Sequence, residues 1–274
     1  MLECLGLSST PPPDRSGLGA VYGAWCRKVP FDNVRKLIYL RSAQSGALPG
    51  DAPEDFFDAW LLHGTGGTCW AGNGALQALL RSLGFDAVRV VATMLVAPDL
   101  PPNHGSVMVR CEAARYLVDA SILHAEPLAL EESAPTHIAH GAWGVRCARV
   151  ARRWIVAWRP LHATHGIDCR IERMAASARE FHERHEQSRP WSPFNYALYA
   201  RVNRGDTVLG TAFGQRVTLL ADGEVRQGAL DPAQRAEFLV EQIGLRESIV
   251  ALLPPDLPMP PPPKSQAASA AAAR

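Results

Sequence analysis

Gly64-Thr-Gly-Gly-Thr-Cys-Trp-Ala-Gly-Asn-Gly74 joins a glycine turn to a cysteine and then to a helix, and the rest of the sequence is organised around it. The consecutive glycines Gly66 and Gly67 predict a sharp backbone turn with positive φ. Cys69 follows at once. Beyond it Leu76, Leu79, Leu80 and Leu83 recur at i, i+3, i+4 and i+7, the spacing of a helix with one apolar face, and Gly84 supplies the stop. A cysteine at such a helix start meets unpaired N–H groups and the positive end of the helix dipole. Both favour a thiolate, and the same N–H groups can donate to an oxyanion on an attached acyl group. The plainer reading is a small apolar residue packed at a helix end.

Upstream, the chain reads as helical. Leu18, Val21, Tyr22 and Trp25 share one face of a segment over 17–27, and Pro53 opens another over 53–62 that carries Phe56, Phe57, Trp60 and Leu61. Downstream of Gly84 the pattern turns to strands at 88–96, 106–111 and 116–119, with a second pair at 145–150 and 153–158. Helical character returns at 175–187. Strands follow at 197–201, 208–213 and 215–220, and then an amphipathic helix over 232–243. From Pro254 to Pro263 seven of ten residues are proline. Such a segment has few backbone donors, so 254–274 reads as a disordered Pro/Ala-rich tail.

The 274 residues are 47% hydrophobic and 20% charged, enough to bury a core and too apolar for a wholly disordered chain. Lys and Arg number 28 against 27 Asp and Glu, so no basic face for nucleic acid or membrane is expected. The chain shows no apolar run of membrane-spanning length and no secretory pattern at the start. Six cysteines without a C-x-x-C argue against structural zinc and a disulfide framework, and a cytoplasmic location with reduced thiols is expected. No metal site is expected either. His137 with His140 and His182 with His185 lack a third ligand, and both pairs read as exposed charged face.

A thiolate nucleophile needs a base, and the base needs an orienter. His104 stands just before the strand at 106–111, and Asp119 ends the next strand. The four-residue turn between them brings the outer ends of the two strands together. Cys69, His104 and Asp119 therefore describe a papain-like triad on a transglutaminase-type core.

Further matches follow in register. Pro30-Phe-Asp-Asn33 is similar to P-F-E-N, and Thr65-Gly-Gly-Thr-Cys-Trp-Ala-Gly-Asn73 to R-G-G-Y-C-F-E-x-N. Tyr116-Leu-Val-Asp119 matches Y-L-V-D, Trp158-Arg-Pro-Leu161 matches W-R-P-L, and Ser192-Pro-Phe194 and Gln242-Ile-Gly-Leu245 resemble S-P-F and H-F-G-L. These are motifs of the arylamine N-acetyltransferase family, which the sequence resembles from about residue 18 to 253. The chain departs from them at Thr65, Thr68, Ala71 and Ser121; the arginine and glutamate that flank the family's cysteine are both absent, which leaves neither charge stranded.

The resemblance implies a three-part α/β fold. A helical domain over 1–85 carries the nucleophile, a β-barrel-like domain over 86–190 carries His104 and Asp119, and an α/β lid spans 191–253. It implies acetyl-CoA as donor, a small-molecule arylamine or hydrazine as acceptor, and a ping-pong reaction through a thioester on Cys69, with no metal. Phe31, Thr68, Trp70 and Phe194 are the candidate substrate-binding residues, and Asn73 a supporter of the site. Arg201 and Arg204 are candidates for the CoA phosphates. Three other readings stay open: an amide synthase of secondary metabolism fed by a carrier protein, a thioester or amide hydrolase, and a silent binding protein on the same fold.

Overall fold

The computed structural model describes residues 1–42, 44–96, 100–163 and 165–263. The N-terminal part contains α1 (Leu2–Leu5), α2 (Arg15–Lys28), the short strand β1 (Phe31–Asp32), α3 (Val34–Arg41), α4 (Pro53–His63) and α5 (Cys69–Ser82). Asp14 caps α2 by accepting from the Gly17 N–H at 2.8 Å, and Pro53 takes the first turn of α4, where its missing N–H costs nothing. The apolar faces read from the sequence are the buried ones. Leu18, Val21, Tyr22 and Trp25 are all fully enclosed, and Trp25 stacks on Phe56 with ring centroids 5.7 Å apart, joining α2 to α4.

Eight antiparallel strands follow: β2 (Asp86–Met94), β3 (His104–Cys111), β4 (Ala114–Val118), β5 (Leu128–Ala129), β6 (Thr136–Ile138), β7 (Val145–Val150), β8 (Arg153–Trp158) and β9 (Ile167–Ala176). Their order in the sheet is β5-β4-β3-β2-β9-β8-β7-β6. The two edges meet where the Thr136 hydroxyl donates to the Ala129 carbonyl at 2.5 Å, so the sheet is a nearly closed barrel. Val90, Met108, Leu117, Cys147, Val156 and Ile171 fill one contiguous core inside it. β9 overturns one expectation: residues 175–176 end a strand, and the helix α6 (Ala178–Gln187) begins only after its cap, Ser177. Cys169 and Ile171 alternate inward on β9, but the charged residues between them hide that period from a hydrophobicity reading.

The last part is a five-stranded sheet in the order β1-β10-β11-β12-β13, made of β10 (Tyr199–Arg204), β11 (Thr207–Ala212), β12 (Gln215–Leu219), β13 (Val225–Ala229) and the N-terminal strand β1 at its edge. Ala200 and Val202 pack against Phe238, Leu239 and Ile243 from α7 (Pro232–Phe238) and the turn of π-helix that continues it; α8 (Glu247–Val250) follows. The sequence expectation of a free tail from 254 is corrected over its first ten residues. Asp256 accepts from the Leu198 N–H at 3.0 Å and pairs with Arg235 at 3.2 Å, the Leu257 N–H donates to the Tyr196 carbonyl at 2.8 Å, and the Pro260 carbonyl accepts from the Trp191 indole at 3.2 Å. Proline lacks a donor but keeps its carbonyl, so the segment is strapped down through acceptors and the residues between prolines. Residues 264–274 of that tail lie outside the described residues. Among the described residues no helix is long and apolar enough to cross a membrane.

Candidate active site

Cys69 is the first residue of α5 and is 8% exposed. Its thiol is 3.8 Å from the Asn103 carbonyl, one residue before β3 begins. The turn that delivers it is built differently from the expectation. Gly66 and Gly67 do not have positive φ; Gly64 does, at 74°. Gly66 is needed for close approach instead, since a Cβ there would stand 1.7 Å from the Pro30 carbonyl oxygen. Asp32 fastens this turn. One carboxylate oxygen accepts from the Gly66 N–H at 2.6 Å and the other from the Val34 N–H at 3.0 Å. Burial pushes the Asp32 carboxyl up to about 6 despite those bonds.

His104 opens β3 and Asp119 directly follows β4, so the outer ends of the hairpin meet as expected, although the turn between the strands is the two residues Glu112 and Ala113 rather than four. The His104 Nε2 atom lies 2.7 Å from the Asp119 Oδ2 atom, with both side chains at 2% exposure or less. That leaves Nδ1 as the ring atom available to Cys69. Burial works against charge on His104, but the Asp119 carboxylate and the Cys69 sulfur outweigh it and raise its pKa well above the ordinary value. Burial likewise opposes the Asp119 carboxylate, while the His104 charge and hydrogen bonds hold its pKa well below the usual range. An imidazolium–carboxylate pair is the stable state of these two groups.

Asn73, four residues into α5 from Cys69, is fully buried. Its Nδ2 donates to the Cys69 carbonyl at 3.1 Å and the Gly105 carbonyl at 2.6 Å, and its Oδ1 accepts from the Ala120 N–H at 2.9 Å. One side chain thus joins the nucleophile's helix, the histidine's strand and the aspartate's loop. Thr68 is the N-cap of α5, with no hydrogen bond from its side chain to the helix. Thr65 is enclosed and donates to the Ala59 carbonyl at 3.3 Å, and Ala71 is 1% exposed. Neither residue carries a charge.

The aromatic candidates divide into two groups. Phe31 and Phe194 meet edge-on with centroids 5.2 Å apart, and Tyr199, which the sequence reading left out, touches both at 5.5 and 5.4 Å. Trp70 instead packs edge-on against Phe181 of α6 at 5.0 Å. Arg201 and Arg204 are not free for phosphates. Arg201 is 1% exposed, and Arg204 donates to carbonyls at Ile243, Gln242 and Arg27. His182 and His185 are not a uniformly exposed pair either: His185 is 2% exposed, and the His182 Nδ1 atom lies 2.7 Å from the Asp51 carboxylate. Asp32 and Asn103 also escaped the sequence reading. Of the two only Asp32 carried a local signal, its place in Pro30-Phe-Asp-Asn33.

A family model described as N-acetyltransferase matches residues 17–246. A curated arylamine N-acetyltransferase of Mycolicibacterium smegmatis is 33% identical over 125 residues, a stretch covering 43% of this chain and 43% of that relative. Among solved structures, the arylamine N-acetyltransferase from M. tuberculosis superposes with a TM-score of 0.77 at 20% identity, covering 92% of this chain and 96% of that one. The Salmonella typhimurium protein gives 0.76 at 18% identity, covering 92% and 95%. The Mycobacterium marinum protein in complex with CoA gives 0.77 at 17%, covering 92% and 96%. With the family model spanning most of its length, the chain belongs to the arylamine N-acetyltransferase family.

Proposed function

We propose that this protein transfers an acetyl group from acetyl-CoA to the nitrogen of an arylamine or hydrazine, through a thioester on Cys69. The buried His104–Asp119 pair, 2.7 Å apart beside a cysteine at the start of α5, is the observation that carries the reading. The Cys69 sulfur attacks the acetyl-CoA carbonyl carbon, the bond from that carbon to the CoA sulfur breaks, and His104 returns the thiol proton to the departing CoA. The amine then attacks the enzyme thioester. Its proton passes to His104 and on to the Cys69 sulfur as the C–S bond breaks, while Asp119 keeps the imidazole in one orientation. Backbone N–H groups at the start of α5 face the oxyanion of each tetrahedral intermediate. Phe31, Phe194 and Tyr199 supply an aromatic wall for the acceptor, and Thr68 borders the nucleophile.

The donor assignment follows family membership and the CoA complex of the M. marinum relative. The test is release of free CoA. Acetyl-CoA alone is expected to give a single burst of about one CoA per Cys69, with continued turnover only when an arylamine or hydrazine is added. Steady turnover without amine means hydrolysis. A burst from an acyl carrier protein but not from CoA moves the enzyme to the amide-synthase reading.

A further inference from the structure

The geometry points to the Tyr22 hydroxyl as the positioning group that holds Asp119 in register with His104, an inference that rests on the triad reading above. Tyr22 lies on α2, 97 residues from Asp119, and is fully buried. Its hydroxyl donates to the Asp119 carbonyl at 2.9 Å and accepts from the Asp119 N–H and the His124 N–H, each at 3.1 Å. That uses its one proton and both lone pairs. No other described side chain bonds both backbone groups of Asp119.

The loop it grips needs gripping. Leu123 and Ala125 flank His124 at φ 54° and 63°, a left-handed conformation that residues with a Cβ adopt rarely. The Asp119 carboxylate is fixed within this same loop, its Oδ1 accepting from the Ser121 N–H at 2.8 Å and the Ile122 N–H at 3.0 Å. If the loop relaxes, those donors move and the carboxylate swings away from His104. The other tethers are the Asn73 Oδ1 atom, which accepts from the Ala120 N–H at 2.9 Å, and the Leu123 N–H, which donates to the Asp119 carbonyl at 3.0 Å; further along, Asn203 donates to the Leu123 carbonyl at 2.8 Å, and the His124 Nδ1 atom is 2.7 Å from the Glu126 carbonyl. Titratable groups acting on the His104–Asp119 pair are Cys69 on α5, Tyr22 on α2, His124 in the loop and Cys169 on β9.

The test is the pH titration of the His104 imidazole by NMR, read with steady-state kinetics on the full-length protein. Tyr22→Phe removes only the hydroxyl. Burial lowers the His104 pKa and Asp119 raises it, so a carboxylate held less well in register is expected to lower the His104 midpoint by about half to one unit and to lower kcat about three- to tenfold with the KM for the amine unchanged, the size of one or two neutral hydrogen bonds. Tyr22→Phe/Ala125→Gly covers the case of a poorly folding single variant. Glycine takes φ 63° without strain and restores the melting temperature, while the midpoint stays lowered because the bonds to Asp119 are still missing. A folded variant of either kind with a wild-type midpoint and kcat reduces Tyr22 to packing and overturns the inference. A wild-type midpoint at that of a free imidazole overturns the triad reading beneath it.

Discussion

At Asp119 one carboxylate serves two sets of partners, with His104 on one oxygen and backbone N–H groups on the other, and in the proposed function it orients the imidazole. Asp119→Asn keeps the shape and removes the charge, so transfer measured as kcat/KM is expected to fall about ten- to a hundredfold, the worth of a charged hydrogen bond. The pair also ties stability to pH. Asp119 is held below its ordinary pKa, so its contribution is present above about pH 4 and lost as pH falls through the folded value. His104 is raised, so its contribution is full below about pH 6.5 and lost as pH rises through the folded value. The melting-temperature deficit of Asp119→Asn is therefore expected to be widest between about pH 4 and 6.5. Asp32 carries the opposite sign. Its pKa is raised to about 6, so the stability it adds belongs to the protonated form and is lost as pH rises through that value. The gap in melting temperature between wild type and Asp32→Asn is expected to narrow from pH 4 to pH 7; a widening gap contradicts the burial effect. The placement of Cys69 at a helix start and of His104 beside Asp119 was legible because a glycine-marked helix start and a hairpin count are local patterns. Tyr22 was not, since it reaches Asp119 across 97 residues and its α2 spacing says only that it faces the core.

Among the elements, the β7–β8 hairpin was readable to its last residue, because β8 is rich in β-branched and aromatic side chains, β7 begins and ends on valine, and the two pair directly from Val145↔Trp158 to Val150↔Arg153. Its turn was not readable. Ala151 and Arg152 take φ 48° and 68°, the two positive values of a type I′ turn, where Asn-Gly is the favoured pair. Replacing both by Asn-Gly is expected to stabilise the protein by about 0.5–1 kcal/mol, seen as a rise of about 1–4 °C in melting temperature. No rise contradicts the turn assignment. β9 escaped for a related reason. Asp168, Arg170, Glu172 and Arg173 sit among its inward residues, and a strand so charged reads as helix surface until its partners β2 and β8 are known.

For the molecule as a whole, the three stretches predicted from the sequence interlock. β1 from the N-terminal part pairs with β10 of the last sheet, Phe31 opposite Arg201, and this brings Phe31 to Phe194 and Tyr199. The strap after residue 253 closes the same region, because Asp256, Leu257 and Pro260 hold residues 191–198 that carry Phe194. Asp256→Ala is expected to lower the melting temperature by about 2–4 °C, the effect of about 1 kcal/mol in a chain of this size. It is also expected to raise the KM for the amine while acylation by acetyl-CoA stays at the wild-type rate; an unchanged KM contradicts the role of the strap in placing Phe194. Such contacts were beyond the sequence, since a proline-rich stretch reads the same whether free or pinned through its carbonyls. Everything downstream depends on Cys69 carrying the acyl group. Peptide mapping by mass spectrometry after incubation with acetyl-CoA measures this directly. The account predicts one added acetyl group on the peptide containing Cys69, lost on addition of an arylamine and absent in Cys69→Ala; an acetyl group on any other cysteine, or none on the folded protein, contradicts it.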